Sequence, residues 1–121
     1  MAFRFEGLEI FQLAVDFAHL TYEVTQGFPK VETFGLTANL RRAATSIAMN
    51  IAEGSGRGTR RNFMHFIDIA TGSLFESLAS FILAERLGYA GESELDRVRR
   101  SAETLGRKLS SFKKSLADHT P

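Results

Sequence analysis

The spacing of apolar residues divides the chain into four segments with a helical period. In the last of them Leu95, Val98, Ala102, Leu105, Leu109, Phe112 and Leu116 recur at alternating steps of three and four, with polar residues between. That is one apolar stripe, the pattern of a helix with a single buried face. The first segment differs. Ile10, Leu13, Phe17, Leu20 and Val24 form one stripe, and Phe11, Val15, Ala18 and Tyr22 form a second. Two stripes require two apolar neighbours. A bundle core covers one; a loop or another subunit must cover the other. A subunit contact is the stronger expectation, because monomers avoid large exposed apolar patches.

Breakers and caps set the boundaries. The only prolines are Pro29 and Pro121. A first helix is expected over residues 7–26, ended by Gly27, Phe28 and Pro29. A second is expected over 36–53, with Gly54 at the left-handed position just past its end. Gly54-Ser55-Gly56-Arg57-Gly58 reads as a loop that uses positive-φ residues. Thr59 is the expected N-cap of a third helix over 60–87. Gly88 and Gly91 bracket a turn, and Ser93 with Asp96 predicts a capping box for a fourth helix over 93–116. No alternating run rich in Val, Ile and Thr predicts a strand. Short turns between long helices predict an all-α fold, an antiparallel up-down-up-down four-helix bundle forming one domain over 1–121.

Two segments carry unusual residues for a helix. The second is lined by Ala38, Ala43, Ala44, Ala48 and Ala52, which allow a close neighbour, while Leu40, Ile47 and Ile51 supply bulk. Gly72 and Ser73 fall inside the third. A mid-helix glycine costs about 1 kcal/mol relative to alanine. Tight helix–helix contact at that level is the expected compensation.

Composition narrows the class. The chain has 121 residues, 44% hydrophobic and 24% charged, ordinary for one globular domain. It has no cysteine, so no disulfide or thiolate metal site is available. No apolar run approaches the ~20 residues that span a bilayer, and the N-terminus lacks the features of a signal peptide. A cytoplasmic protein without membrane contact is expected. The net charge of +1 hides an uneven distribution. Residues 41–61 hold Arg41, Arg42, Arg57, Arg60 and Arg61 against Glu53 alone, and residues 93–121 hold seven basic residues against four acidic ones. The other two stretches are acidic. A mosaic of solvated faces is the plain reading, and two basic faces that meet phosphate is the sharper one.

Chemistry is sparse. His19 follows Asp16 by three positions, and Asp68 follows His65 by three; His119 is in the tail. Di-metal bundles use Glu-x-x-His on two helices and a carboxylate from each of two more. Only one pair here has that order, and with Asp, so no metal site, cofactor or catalytic residue is expected. The glycine-rich stretch lacks the Gly-Lys-Ser/Thr of a P-loop and follows no strand. It does lead into a helix N-terminus, where free amides and the helix dipole favour an anion. Arg57, Arg60 and Arg61 flank that point, and Arg100, Arg107 and Lys108 lie on the polar side of the last helix. These six are the candidate nucleic-acid contacts, to phosphate and with little sequence reading. Phe11, Val15, Ala18 and Tyr22 are the candidate oligomer contact. Of Arg41 and Arg42, one is expected to pair with a neighbouring carboxylate and the other to face outward. Glu103, four residues before Arg107, is placed to pair with it.

The run from Phe34 to Gly54, FGLTANLRRAATSIAMNIAEG, resembles the signature of the four-helix-bundle family named for proteins encoded in 23S ribosomal RNA intervening sequences. Ala70-x-Gly-Ser-Leu-x-Glu76 resembles its second motif. The resemblance spans nearly the whole chain, with Asn50, Glu53, Gly54, Gly72 and Ser73 as its most specific structural residues. It implies no catalytic residues. Family members are similar to the accessory protein of diversity-generating retroelements, a basic homopentamer that binds nucleic acid and a reverse transcriptase. The resemblance therefore implies a homo-oligomer, a pentamer by that comparison, with RNA or DNA and a reverse transcriptase or other protein as partners. Asn39, Ala48 and Ser77 stand where the pattern usually has Gln, Pro and Leu, and the near-neutral charge departs from the basic relative. The alternative is a protein-interaction scaffold without nucleic acid.

Overall fold

A computed structural model describes residues 3–118. Four helices follow one another: α1 (Glu9–Thr25), α2 (Leu36–Ser55), α3 (Arg60–Arg86) and α4 (Glu92–Asp118). A 3-10 turn at Arg4–Gly7 precedes α1, and another at Lys30–Glu32 lies between α1 and α2. Each helix packs on its neighbours in the cycle α1–α2–α3–α4, and the diagonal pairs do not meet. This is the expected all-α four-helix bundle.

The core is built from the predicted periodicities. Val98, Ala102, Leu105, Leu109 and Leu116 of α4 are buried, as the single stripe requires. From α1 the buried positions are Ile10, Ala14, Phe17, Thr21, Val24 and Thr25, so Ala14 and Thr21 take the central places expected of Leu13 and Leu20, which are only partly buried. Phe63, Ile67, Ala70, Leu74 and Phe81 of α3 meet Leu40, Ala44, Ile47, Ala48 and Ile51 of α2 in the same cluster. Complete burial of a Leu, Ile or Phe side chain contributes about 1.5–3 kcal/mol. Ala48 therefore sits comfortably in the core, and Ser77 is accommodated because its hydroxyl donates to the Ser73 carbonyl at 2.8 Å. Among the described residues, no buried side-chain polar atom lacks a hydrogen-bond partner.

Three local expectations are corrected. Gly54 is not a left-handed cap; it lies inside α2 and is buried. A Cβ there would come within 2.7 Å of the Phe66 Cβ and 2.8 Å of the Phe63 Cδ1, so close helix–helix approach requires glycine. The left-handed glycine is Gly88, at φ 79°, and no other described residue has positive φ. There the Tyr89 amide donates to the Ala84 carbonyl and the Gly88 amide to Glu85, closing α3 with a Schellman motif. The cap of α4 is shifted as well. Ser93 lies within the helix, and the Glu94 carboxylate instead accepts from the Gly91 amide at 2.9 Å. Thr59 caps α3 as expected, accepting from the Asn62 amide at 3.1 Å.

Gly72 also departs from expectation. A Cβ on it would meet nothing within 4 Å, so no intrachain packing compensates its cost. Its neighbour Ser73 carries the contact instead. The Ser46 and Ser73 hydroxyls lie 3.0 Å apart across the α2–α3 seam, and Asn50 donates to both the Ser46 hydroxyl and carbonyl. Contrary to the estimate from apolar runs, α3 is long and apolar enough, by length and composition alone, to cross a bilayer. Part of that apolar surface is exposed: Ile69, Phe75, Leu83 and Leu87 lie open along one side of α3.

Candidate nucleic-acid interface

The chain direction of the four helices puts the 3-10 turn, the α2–α3 connection and the end of α4 at one end of the bundle. Phe5 rests edge-on against Phe11, with ring centroids 4.8 Å apart, and this fixes the 3-10 turn. Arg4 is thereby carried over the Phe63 ring, 5.2 Å from its centroid. The connection brings Arg57, Arg60 and Arg61 to the first turn of α3. Together Arg4, Arg57, Gly58, Thr59, Arg60 and Arg61 surround a concavity of about 720 Å3, whose apolar side is Phe63, Met64 and Leu116. Arg4 was not anticipated. Its membership depends on a turn folding back over α3, which no local spacing encodes.

Arg57 is held on two sides. Its Nη2 donates to Glu53 at 2.7 Å, and its guanidinium lies 4.8 Å from the Phe66 centroid. The signature residue Glu53 thus orders the glycine-rich turn, whereas Asn50 serves the α2–α3 seam. Among the described residues no carboxylate pairs with Arg4 or Arg61. Guanidinium groups in this state offer their fork of donors to an anion, in a place where the first amides of α3 also point outward.

The α4 candidates are not brought to this pocket. Lys108 pairs with Glu9 of α1 at 3.2 Å. Arg107 edges a second, apolar groove of about 630 Å3 between α3 and α4, beside Phe75, Leu78 and Gly106. Glu103 lines the same groove but does not pair with Arg107. Arg100 lies further along α4, roughly 24 Å from Leu116 at 1.5 Å per residue. The arginine pair of α2 is engaged too. Arg42 pairs with Glu76 at 2.9 Å, while Arg41 donates to the Thr25 hydroxyl at 2.9 Å and stacks 4.5 Å from the Tyr22 ring rather than facing outward.

The second stripe of α1 is half covered within the chain. Phe11 meets Phe5 and Ala18 packs on the core, while Val15 and Tyr22, the latter with Arg41 over its ring, stay open. The larger open apolar surface belongs to α3, where Phe75 is 67% exposed. Sequence periodicity missed it because the polar Asp68, Glu76 and Arg86 interrupt that face. Neither histidine pair forms a metal cluster. His19 contacts Glu23 at 3.0 Å, Asp68 pairs with Lys113 at 2.8 Å, and His65 sets its ring against Phe66. Among the described residues no three His, Cys, Asp or Glu side chains converge. His119 lies outside the described residues.

A crystal structure of a protein of unknown function from the S23 ribosomal protein family of Bacteroides thetaiotaomicron VPI-5482 shares the fold, with a TM-score of 0.78 at 20% identity. The match covers 87% of this chain and 98% of that one. No curated protein matches the chain. Residues 6–111 match the profile described as 23S rRNA-intervening sequence protein, and the chain belongs to that family.

Proposed function

We propose that this protein is a non-enzymatic, homo-oligomeric helical module of the cytoplasm that binds RNA or other nucleic acid by its phosphates at the arginine pocket. The observation that carries the reading is the convergence of Arg4, Arg57, Arg60 and Arg61 on one concavity at the start of α3. Oligomerisation would repeat the pocket and multiply weak contacts into useful affinity. The resemblance to the pentameric retroelement accessory protein supports that arrangement and makes a reverse transcriptase one candidate partner. Binding of structured RNA should fall steeply with salt, and Arg61→Glu should flatten the salt slope by roughly 0.7–0.9, one phosphate contact. An unchanged affinity in Arg61→Glu, with the fold intact by circular dichroism, rules the pocket out.

The second reading is a protein-interaction scaffold. It rests on the open apolar side of α3, Ile69, Phe75, Leu83 and Leu87, which adds a second face to the α1 contact expected of Phe11, Val15, Ala18 and Tyr22. Phe75→Glu should lower the mass measured by light scattering while leaving the monomer's thermal stability within about 0.5 kcal/mol, as for other surface changes. A mass insensitive to Phe75→Glu, and to Val15→Glu in α1, removes both faces from assembly.

A further inference from the structure

We propose that the arginine pocket takes a phosphomonoester, the terminal phosphate of a nucleic-acid strand, and not a phosphate within the strand. This rests on the nucleic-acid reading above. The first argument is shape. The concavity has an apolar side formed by Phe63, Met64 and Leu116, and its volume of about 720 Å3 is that of a pocket for a small ligand. A strand that enters and leaves needs a cationic track beyond the pocket. The cations beside the pocket do not supply one: Lys113 is paired with Asp68 and Lys108 with Glu9. Arg100, Arg107 and Lys114, which pair with no described carboxylate, follow one another at seven-residue spacing along the outward side of α4, opposite the stripe that buries Leu116.

The second argument is charge. A phosphomonoester carries about 1.5–2 negative charges near neutral pH and three terminal oxygens, against one charge for a phosphate inside a strand. Arg4 and Arg61 approach from different elements and neither is matched by a described carboxylate. Two forked guanidinium donors suit a group with several free oxygens. The third argument is the lack of an extended stacking platform. Phe63 is buried beneath Arg4, and Phe66 is covered by Arg57. Phe3, 71% exposed and stacked on Phe5, is an open ring beside Arg4, room for a single terminal base and not for a row of bases, so phosphate must carry most of the affinity.

The test is fluorescence anisotropy at low salt with one short single-stranded RNA carrying a 5′-phosphate, a 3′-phosphate or hydroxyls at both ends, and adenosine monophosphate as competitor. A terminal phosphate should tighten binding by about tenfold, the scale of a charge-assisted hydrogen bond. Arg4→Ala and Arg61→Ala should each erase the difference between phosphate and hydroxyl ends while the helical circular dichroism is retained. Equal affinity for all three RNAs, weakened throughout by Arg61→Ala, overturns the end-specific proposal and leaves the nucleic-acid reading standing. Adenosine monophosphate binding as tightly as the phosphorylated RNA overturns the strand end as the source. No binding of any RNA overturns both.

Discussion

The two ends of the bundle spend their polar groups differently. At the end formed by the α1–α2 and α3–α4 connections, a set of side chains ties the connections to one another. The Glu32 carboxylate accepts from the Leu36 amide at 3.0 Å and from the Tyr89 hydroxyl at 3.0 Å, capping α2 and tying the two connections together. Phe28 packs against Tyr89, and Arg41 is shared between Thr25 and Tyr22. At the opposite end Glu53 holds Arg57, but Arg4 and Arg61 converge without a described carboxylate. Like charges gathered without compensation oppose folding. Their convergence from separate elements on one concavity, and not the lack of a carboxylate by itself, distinguishes this end and suits a surface that takes an anion.

The contrast can be broken in order of expected effect. Gly54→Val tests whether the arginine end is built on close helix contact. Its side chain would be forced onto Phe63 and Phe66, and overpacking of this kind costs about 1–3 kcal/mol, readable as a lower denaturation midpoint. A midpoint equal to that of the parent would show that the α2–α3 seam yields without cost. Arg61→Glu should weaken RNA binding at low salt by about tenfold or more, with thermal stability unchanged within about 0.5 kcal/mol. Arg41→Ala should do the reverse. It removes a hydrogen bond and a cation–π contact, together about 1 kcal/mol of stability, and should leave RNA affinity as it was. If Arg41→Ala weakened binding as much as Arg61→Glu, the two ends would not differ in kind.

The smallest effect is a pH dependence. Tyr89 is held above its usual pKa of 10.0, first by donating its hydroxyl to Glu32, then by burial and by the carboxylate's charge. The contribution is therefore fully present below pH 10 and is lost as pH rises through the higher folded-state value. Tyr89→Phe should flatten that alkaline loss in a stability-versus-pH series. An alkaline limb identical in Tyr89→Phe would assign it to other groups.

Much of this was legible in the chain. The α4 stripe fixes its own buried face, because the 3-4 spacing returns to one side of a helix whatever surrounds it. The Thr59 cap and the start of α3 follow from residues acting within a few positions of themselves. The glycine pattern was legible only as breaks. Which glycine turns left-handed and which makes room depended on neighbours: Gly88 closes α3, while Gly54 lies against two phenylalanines of the next helix.

The candidate site divides the same way. Sequence alone determined the four helices, their one- and two-stripe faces, and the cluster of Arg57, Arg60 and Arg61 beside a helix start. Tertiary structure alone decided that Arg4 joins them, that Lys108 is taken by Glu9, and that α3 leaves apolar surface open in addition to α1. The physical reason is range. Helix periodicity and capping act over a turn or two and are written in spacing. A guanidinium's partner, or a phenylalanine's cover, comes from whichever helix the bundle sets beside it.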